Sequence, residues 1–408
     1  MGHDHSDMIW RRTAVESVLE MRSSVLSERE TRSVPLESIE RRTLAESIVA
    51  ERDVPAHDHA TMDGFAFDAT DEYPLAVIAD EVFPEDEPPS IDPGEAVPIA
   101  TGAPLPPEAN AVLKREDSSL EGDQLRGTTL EPGTYTYERG SNLSEGDRLF
   151  ERGERLSPKD AILLGDLGRE TVEVYEPFST AVLATGTEIH EGRITDLDSD
   201  MLAGLIRSWG HDPTYEGSVP DEYERVEDSI DRLANQYDVV LTTGGTSVGH
   251  KDHVIRALDA LGEVVFHRVR IRPGKPIAMA TLPDHDAVAF AIPGKPIGAH
   301  TISTFVMRPF FTGTTSLPTV GARLTHDLEL GPDGFEYVVP VTLEETEDGY
   351  ETTALGHADS PLSVYDSQFD PSVLSSSTRA SRADGVVLTQ SPLEAETTVS
   401  VLPYSVLE

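Results

Sequence analysis

The chain has 408 residues, with 74 acidic against 32 basic side chains and a formal net charge of -42, which argues against nucleic acid or an anionic membrane as a general partner. It has no cysteine, which excludes disulfides, thiolate metal sites and cysteine nucleophiles, and no run of about 20 apolar residues of the kind that spans a membrane. Its lysines are only Lys114, Lys159, Lys251, Lys275 and Lys295, and the acidic excess reads as surface solvation in high salt, where such charge is screened. The polar, acidic N-terminus is unlike a signal peptide, so the expectation is a soluble cytoplasmic protein of about two to four domains.

From about Ser6 the pattern turns helical. Ile9, Val15, Val18, Leu19 and Val25 fall at near-helical intervals, and Leu36, Ile39, Leu44 and Ile48 predict a second helix after Pro35. His3 with His5, and His57 with His59, form two His-Asp-His pairs, readable as metal chelates without a fixed third ligand or as an acidic tail and an ordinary turn. Residues 53–139 change to short β-prone runs broken by Pro, Gly and acidic clusters, which predicts a small β-rich domain. Within it Thr-Met-Asp-Gly-Phe-Ala (61–66) and Ile-Ala-Thr-Gly-Ala-Pro-Leu-Pro (99–106) stand out, each also compatible with a plain tight turn. Between 140 and 177 a helix is predicted from Ser157 as N-cap and Pro158 as first helical residue to a stop at Gly168. Packed back on the lead-in, it makes the β-rich module an insertion in a split helical domain (6–52 and 140–177).

Residues 178–313 are organised around glycine turns that follow apolar runs: Ala-Thr-Gly-Thr-Glu (184–188), Thr-Gly-Gly-Thr-Ser-Val-Gly-His-Lys-Asp (243–252) and Ile-Pro-Gly-Lys-Pro (292–296). Met201, Leu202, Leu205, Ile206 and Trp209 form one helical face ending at Gly210; Tyr223, Val226, Ile230, Leu233 and Tyr237 form another. Val254, Leu258 and Leu261 mark a third helix, residues 297–306 a fourth, and strands are expected near 239–243, 264–271, 277–281 and 288–292. This alternation describes a central parallel-sheet α/β domain whose loops gather at the carboxyl ends of the strands, where ligands bind. Beyond Gly313 the runs at 337–343, 385–390 and 397–402 predict a C-terminal β domain (314–408), with the Ser-rich stretch 366–381 as a mobile loop. The fold class expected is thus multidomain α/β plus β.

Gly-Gly-Thr-Ser-Val-Gly between a buried strand and a helix presents backbone N–H groups where partial positive charge favours phosphate; the alternative is glycine used only for a tight turn. The run is neither G-x-G-x-x-G nor the Walker pattern, so a dinucleotide dehydrogenase or P-loop ATPase is poorly supported. Lys251, Lys275 and Lys295 lie beside the motif loops, two of them in Pro-Gly-Lys-Pro turns, and with Arg268, Arg270 and Arg272 they suit a polyanion; the alternating arginines equally describe a solvated edge strand. Glu188, Asp196, Asp198, Asp221 and Asp252 fall at or near strand ends, where carboxylates beside phosphate commonly hold Mg²⁺.

At these residues the chain resembles the molybdopterin molybdenumtransferases, the family of MoeA and the E domain of gephyrin. The motifs that carry the resemblance are 61–66, Thr-Gly-Ala-Pro-Leu-Pro (101–106), Ala-Thr-Gly-Thr-Glu-Ile (184–189), 243–252, Arg-Pro-Gly-Lys-Pro (272–276) and 292–296, in the family's order. The resemblance implies a pterin-binding central domain, a β-barrel-like C-terminal domain, and a homodimer with the active site between one subunit's central domain and the other's inserted domain. It implies a reaction that consumes adenylylated molybdopterin and molybdate and releases AMP, with Mg²⁺ and a transient contact with the molybdopterin adenylyltransferase. By motif position, Thr185, Gly186, Gly244, Gly245, Ser247 and Gly249 would cradle the pterin phosphate, helped by Pro293, Gly294 and Lys295. Glu188, Asp221 and Asp252 would serve the metal and hydrolysis. Lys275, Arg268 and Arg272 would hold molybdate or phosphate, while Asp63 and Thr101 reach across from the second subunit.

The chain departs from the family pattern at Thr187, Asp198 and Lys295, where Asp, Asn and Asn are usual, and at Arg268 and Arg272, where Lys is usual. These departures motivate two alternatives: a paralogue that binds molybdopterin as a binding or scaffold protein, and an enzyme that inserts tungstate. Another nucleotide-binding α/β enzyme is a third reading, by fold analogy alone.

Overall fold

The computed structural model describes residues 8–78, 80–245 and 252–408, which form two compact units. One comprises the chain up to residue 32, 40–43 and 174–408; the other comprises 33–39 and 44–173. The lead-in helix Arg11–Glu28 belongs to the first unit, with the α/β and C-terminal regions. It buries Ala14, Val15, Val18 and Leu26, and its neighbours are the helical segments around Ser303–Met307 and Arg308–Thr312.

The second helix predicted after Pro35 does not form: Leu36–Ser38 is a single 3₁₀ turn and Ile48–Val49 a short strand. Leu44 and Ile48 are fully buried, so the apolar spacing was real. Their backbone is committed elsewhere, however, since the N–H groups of Leu44, Ala45 and Ala50 donate to the carbonyls of Glu154, Glu173 and Asp147. The 157–168 expectation holds with one shift: the helix is Asp160–Asp166, because the Asp160 carboxylate accepts from both the N–H and hydroxyl of Ser157 at 2.6 and 2.8 Å.

The β-rich region is built on a six-stranded sheet in the order Ala111–Lys114, Gly64–Phe67, Glu95–Ile99, Leu75–Val77, Gln124–Arg126, Ser119–Glu121. Gly64 faces Ile99 in antiparallel register, which brings the turns before Gly64 and after Ile99 to the same sheet end. A Cβ on Gly64 would meet the Leu113 carbonyl oxygen at 2.0 Å, so glycine here is set by close strand approach.

The α/β sheet also has six strands, ordered Asp212–Val219, Ser179–Thr185, Val239–Thr243, Ala287–Ile292, Ala278–Leu282, Glu263–His267. The first four run parallel, with Thr185 beside Val219, Ala184 beside Thr243 and Thr243 beside Ile292, so their carboxyl ends share one edge. The sheet is mixed rather than parallel throughout: Ala278–Leu282 runs antiparallel to both its neighbours. The cause is the connection, a Pro283–His285 turn closed by Asp286 at φ 52°, too short for a parallel crossover. Helices Ser199–Ser208, Tyr223–Ala234 and His253–Leu261 match the predicted faces. The fourth continues past Ile302 as a π-helical stretch, Ser303–Met307, and ends at Gly313 with φ 70°.

The strand expected over 264–271 breaks. It leaves the α/β sheet at His267, turns at Arg268 with φ 73°, and Ile271–Arg272 pairs in parallel with Glu336 and Tyr337 of the C-terminal region. There the strands Val320–Leu324, Glu336–Thr346, Gly349–Ala354, Gly385–Thr389 and Thr398–Pro403 pair in a closed ring, a five-stranded barrel. The Ser-rich stretch is not a featureless loop: it carries the helix Pro371–Leu374 and the 3₁₀ turn Thr378–Arg382. Among the described residues no helix is long and apolar enough to cross a membrane.

Candidate functional site

Three turns leave the carboxyl edge of the parallel strands and, with a fourth segment, line a cavity of about 610 Å³. Thr185, Gly186 and Glu188 follow the first strand, Gly244 and Gly245 the second, and Pro293, Gly294 and Lys295 the third; Arg272 and Lys275 come from the segment between sheet and barrel. The glycines are dictated by crowding. Gly244 has φ 88° and a Cβ there would lie 2.5 Å from the Thr185 carbonyl oxygen, while a Cβ on Gly294 would touch Gly244 Cα at 3.0 Å. The Thr185 hydroxyl donates to the Thr243 carbonyl at 3.1 Å and locks the two strand ends together.

The cations define the electrostatics. Among the described residues none of Arg268, Arg272, Lys275 and Lys295 has a carboxylate within salt-bridge distance, in a chain whose acidic groups outnumber its basic ones more than twofold. Burial, then the charges of Arg272 and Arg268, hold the Lys275 ammonium below its ordinary range, the signature of a cationic cluster that an anion would relieve. The Arg272 guanidinium sits 4.1 Å over the Phe335 ring, and Lys295 Nζ donates to the Ser372 carbonyl at 3.2 Å. Arg270 points elsewhere, donating to the carbonyls of Met8 and Gly334.

Asp221, Asp252 and Arg268 do not line this cavity; the Arg268 charge acts on the lining Lys275, and Asp252 lies near Arg268 and Asp221. Asp252 caps the helix His253–Leu261 by accepting from the Ile255 N–H at 3.3 Å. Burial, reinforced by the like charge of Asp221, raises its carboxyl, while the Ile255 N–H and Arg268 oppose the rise. The Asp221 N–H donates to the Thr187 hydroxyl at 3.1 Å, and one Asp221 carboxylate oxygen is buried with no partner.

Of the three expected metal ligands Glu188 lines the cavity and Asp221 and Asp252 lie outside it, and among the described residues no group of three or more His, Cys, Asp or Glu is placed to hold a metal ion. Asp221 and Asp252 fit as a pair, since Mg²⁺ often takes one or two carboxylates and completes its shell with water and substrate phosphate. Among the described residues His57 and His59 belong to no group of three or more such side chains; His3 and His5 lie outside the described residues.

Asp63 and Thr101 come together in the other unit. The Thr101 N–H and hydroxyl both donate to Asp63 Oδ1 at 2.7 Å, and these bonds hold the exposed Asp63 carboxyl below its ordinary range. Ser247, Gly249 and Lys251 lie outside the described residues.

Sequence reasoning missed Ser372 and Ser375, contributed to the cavity wall by the short helix it took for a mobile loop. It also missed His267, whose Nε2 is buried without a hydrogen bond 3.9 Å from Asp252, and which burial and Arg268 push down to about 4. The signal for Ser372 was available in Asp370-Pro371, an N-cap followed by proline.

The chain matches the family model of the MoeA N-terminal region (domain I and II) over residues 12–168 and that of the probable molybdopterin binding domain over residues 181–313. A molybdopterin molybdenumtransferase of Synechococcus elongatus is 30% identical over 296 residues, covering 68% of this chain and 73% of that one. A putative molybdopterin biosynthesis protein of Methanocaldococcus jannaschii is 29% identical over 74% of this chain and 79% of its own length. The crystal structure of a molybdopterin biosynthesis MoeA protein from Pyrococcus horikosii superposes with a TM-score of 0.70 at 27% identity, covering 97% of this chain and 99% of that one. With the glycine turns of the α/β region lining one cavity, both family models matched in order and a relative 30% identical over 68% of the chain, the chain belongs to the molybdopterin molybdenumtransferase family.

Proposed function

We propose that this chain transfers molybdenum from molybdate to adenylylated molybdopterin in molybdenum cofactor biosynthesis, releasing AMP. The observation that carries the reading is the cluster of cations without carboxylate partners, Lys275, Arg272 and Lys295, converging on glycine turns in a chain of net charge -42. Such a cluster stabilises an anionic ligand and the charge that develops as a phosphoanhydride breaks. The Gly186 and Gly244 N–H groups already donate to the Val219 and Ile292 carbonyls at 3.0 Å, so these turns let the ligand approach the backbone closely and leave its phosphate charge to the cations. Arg272 is held flat by Phe335, suited to two oxygens of one oxyanion, while Lys275 acts as a point charge. Asp221 and Asp252 would hold Mg²⁺, which when bound would neutralise phosphate charge at the bond being hydrolysed. Asp63, fixed by Thr101, is assigned to the site of a second copy in a homodimer, and a transient contact with the adenylyltransferase would deliver the substrate. The acidic surface is taken as an adaptation to high salt.

The test incubates the purified protein in high salt with adenylylated molybdopterin, Mg²⁺ and molybdate or tungstate, and measures AMP. Molybdate-dependent release is expected; release with tungstate alone would change the oxyanion, and no release with retained pterin binding would leave a binding protein. Lys275→Ala and Asp252→Asn are each expected to lower the rate by about 10²–10³-fold. Asn still caps a helix, so Asp252→Asn removes the charge and leaves the fold intact, which circular dichroism checks.

A further inference from the structure

The C-terminal barrel holds two histidines that the cavity chemistry does not use, and they touch. Along residues 322–328 the side chains alternate, with Ala322, Leu324 and Leu328 buried and Arg323, Thr325 and Asp327 exposed, so His326 takes an inward slot between apolar neighbours and is 8% exposed. His357, 9% exposed, follows the strand Gly349–Ala354 and stacks on it, the ring centroids 3.7 Å apart and the planes 16° from parallel. His326 Nδ1 is bonded to the Thr325 hydroxyl at 3.0 Å, while its Nε2 is buried with no partner. His357 Nδ1 accepts from the Asp359 N–H at 3.2 Å, which fixes that ring as the neutral form protonated at Nε2.

The surroundings keep the pair uncharged. Among the described residues the other titratable groups that face it are Asp327, Asp359 and Tyr365. Tyr365 turns its hydroxyl to the Leu355 carbonyl at 3.0 Å, and the largely exposed Asp359 has its carboxylate 3.6 Å from His357 Nδ1. Burial, then His357, hold His326 below its ordinary range, against Asp359 and Asp327. A proton on His357 Nδ1 breaks the bond from the Asp359 N–H and exchanges it for the carboxylate. A proton on each ring sets two cations face to face in a buried place.

Both rings root the segment that ends in the wall of the cationic cavity. Around His357 the chain folds back on itself, the Gly356 carbonyl accepting from the N–H groups of Val364 and Tyr365 at 2.7 and 2.9 Å. Three residues past His326, the Glu329 N–H donates to the Ser367 carbonyl and the Glu329 carbonyl accepts from the Phe369 N–H, both at 2.9 Å. Asp370, next in the chain, caps the turn Pro371–Leu374, and Ser372 and Ser375 of that turn line the cavity.

We propose that the His326–His357 stack is a proton-operated latch on residues 356–375, closed while both rings are neutral and released when they take up protons, so that the Ser372–Ser375 wall loosens in acid. A released segment binds protons near pH 6.5 and the latched one does not, so the latch is fully engaged above that pH and lost as pH falls below it. The latch stands on its own geometry; only its effect on ligand binding rests on the anion-binding reading of the cavity.

The test follows amide hydrogen exchange of the full-length protein over peptides covering 356–377 at pH 7.5, 6.5 and 5.5, beside its affinity for sulfate, an oxyanion that does not titrate in this range. Wild type should lose protection by up to about tenfold between pH 6.5 and 5.5, the limit for one proton taken up per pH unit, and sulfate affinity should fall with it. His326→Phe keeps a stacked ring in the apolar slot, and His357→Asn keeps an acceptor for the Asp359 N–H. Either should flatten both responses, and comparison with wild type at the same pH cancels the intrinsic exchange rate and the titration of Asp198; melting curves at pH 7.5 check that each variant folds. Wild-type protection unchanged over the range, or the same loss in both variants, overturns the latch. Loss of protection confined to wild type with sulfate affinity constant overturns its coupling to the cavity. A wild-type protein that binds no sulfate at pH 7.5 refutes the anion reading, while exchange still decides the latch.

Discussion

Asp198 shows how one side chain couples site geometry to stability. It is 6% exposed, its Oδ2 accepts from the Thr243 hydroxyl at 3.0 Å, its Oδ1 has no partner, and Asp196 stands nearby. Burial, then Asp196, pushes its carboxyl up to about 6, against the bond from Thr243. The folded state therefore binds a proton that the unfolded chain releases near pH 4, so stability from this group is full below that pH and lost as pH rises to about 6. The shift corresponds to at most about 3 kcal/mol. His267, lowered to about 4, has the opposite sign, contributing above its unfolded value and losing that contribution as pH falls. Asp198→Asn keeps an acceptor for Thr243 and removes the titration. Relative to wild type it should gain stability between pH 4 and pH 6 and keep the gain above, read from urea midpoints at both ends; a constant difference across that range would contradict the burial. That Asp198 lies at a strand end was legible in the sequence, but its burial was not, because among 74 acidic residues composition favours the surface for each one. Gly244, by contrast, could be read correctly as a turn, and only the structure shows that Thr185 crowds it. Gly244→Ala should cost about 1–3 kcal/mol and abolish phosphate binding, checked by thermal unfolding and a pyrophosphate titration.

Among elements, the least conspicuous one has the largest bearing on the cavity. Helix Pro371–Leu374 is a single turn held by Asp370, whose Oδ1 accepts from the N–H groups of Ser372 and Val373 at 2.9 and 3.2 Å. That turn positions the Ser372 carbonyl on which Lys295 rests and the Ser375 carbonyl that receives the Ile297 N–H. Asp370→Ala should cost about 1 kcal/mol locally and weaken pyrophosphate binding several-fold with little change in the global melting temperature. Affinity equal to wild type would detach this wall from the site. The sequence hid the element because one turn has no periodicity to detect, whereas the helices Ser199–Ser208, Tyr223–Ala234 and His253–Leu261 each show a complete apolar face. The same limit explains the strand misread across 264–271. Alternating Arg and apolar residues look continuous, yet Arg268 at φ 73° divides them between two sheets, and that is a tertiary choice. Leu44 and Ile48 fail in the converse way: burial was correctly foreseen, but the pairing partners near 147–173 lie too far along the chain for local periodicity to reveal.

At the scale of the molecule, the net charge of -42 must be reconciled with a site that collects anions. In dilute buffer the acidic surface repels a phosphorylated ligand and opposes its own compaction, because the Debye length of about 30 Å at 0.01 M lets carboxylates across each unit interact. At 1 M salt that length falls to about 3 Å, so the surface is silenced. Lys275 and Arg272, partly buried and adjacent to any bound oxyanion, are screened less. Salt should therefore act in two opposed ways on an ordinary phosphate site and in one dominant way here: relief of long-range repulsion outweighs loss of short-range attraction. The melting temperature should rise steadily from 0.05 to 2 M KCl, and pyrophosphate affinity should hold or increase over the same range, against the usual fall of anion binding with salt. A melting temperature independent of salt would show that the acidic excess is not a destabilising load in the folded state. Affinity falling steeply with salt would show that the unpaired cations dominate the field even at a distance, and that the acidic surface contributes nothing to how the ligand is received.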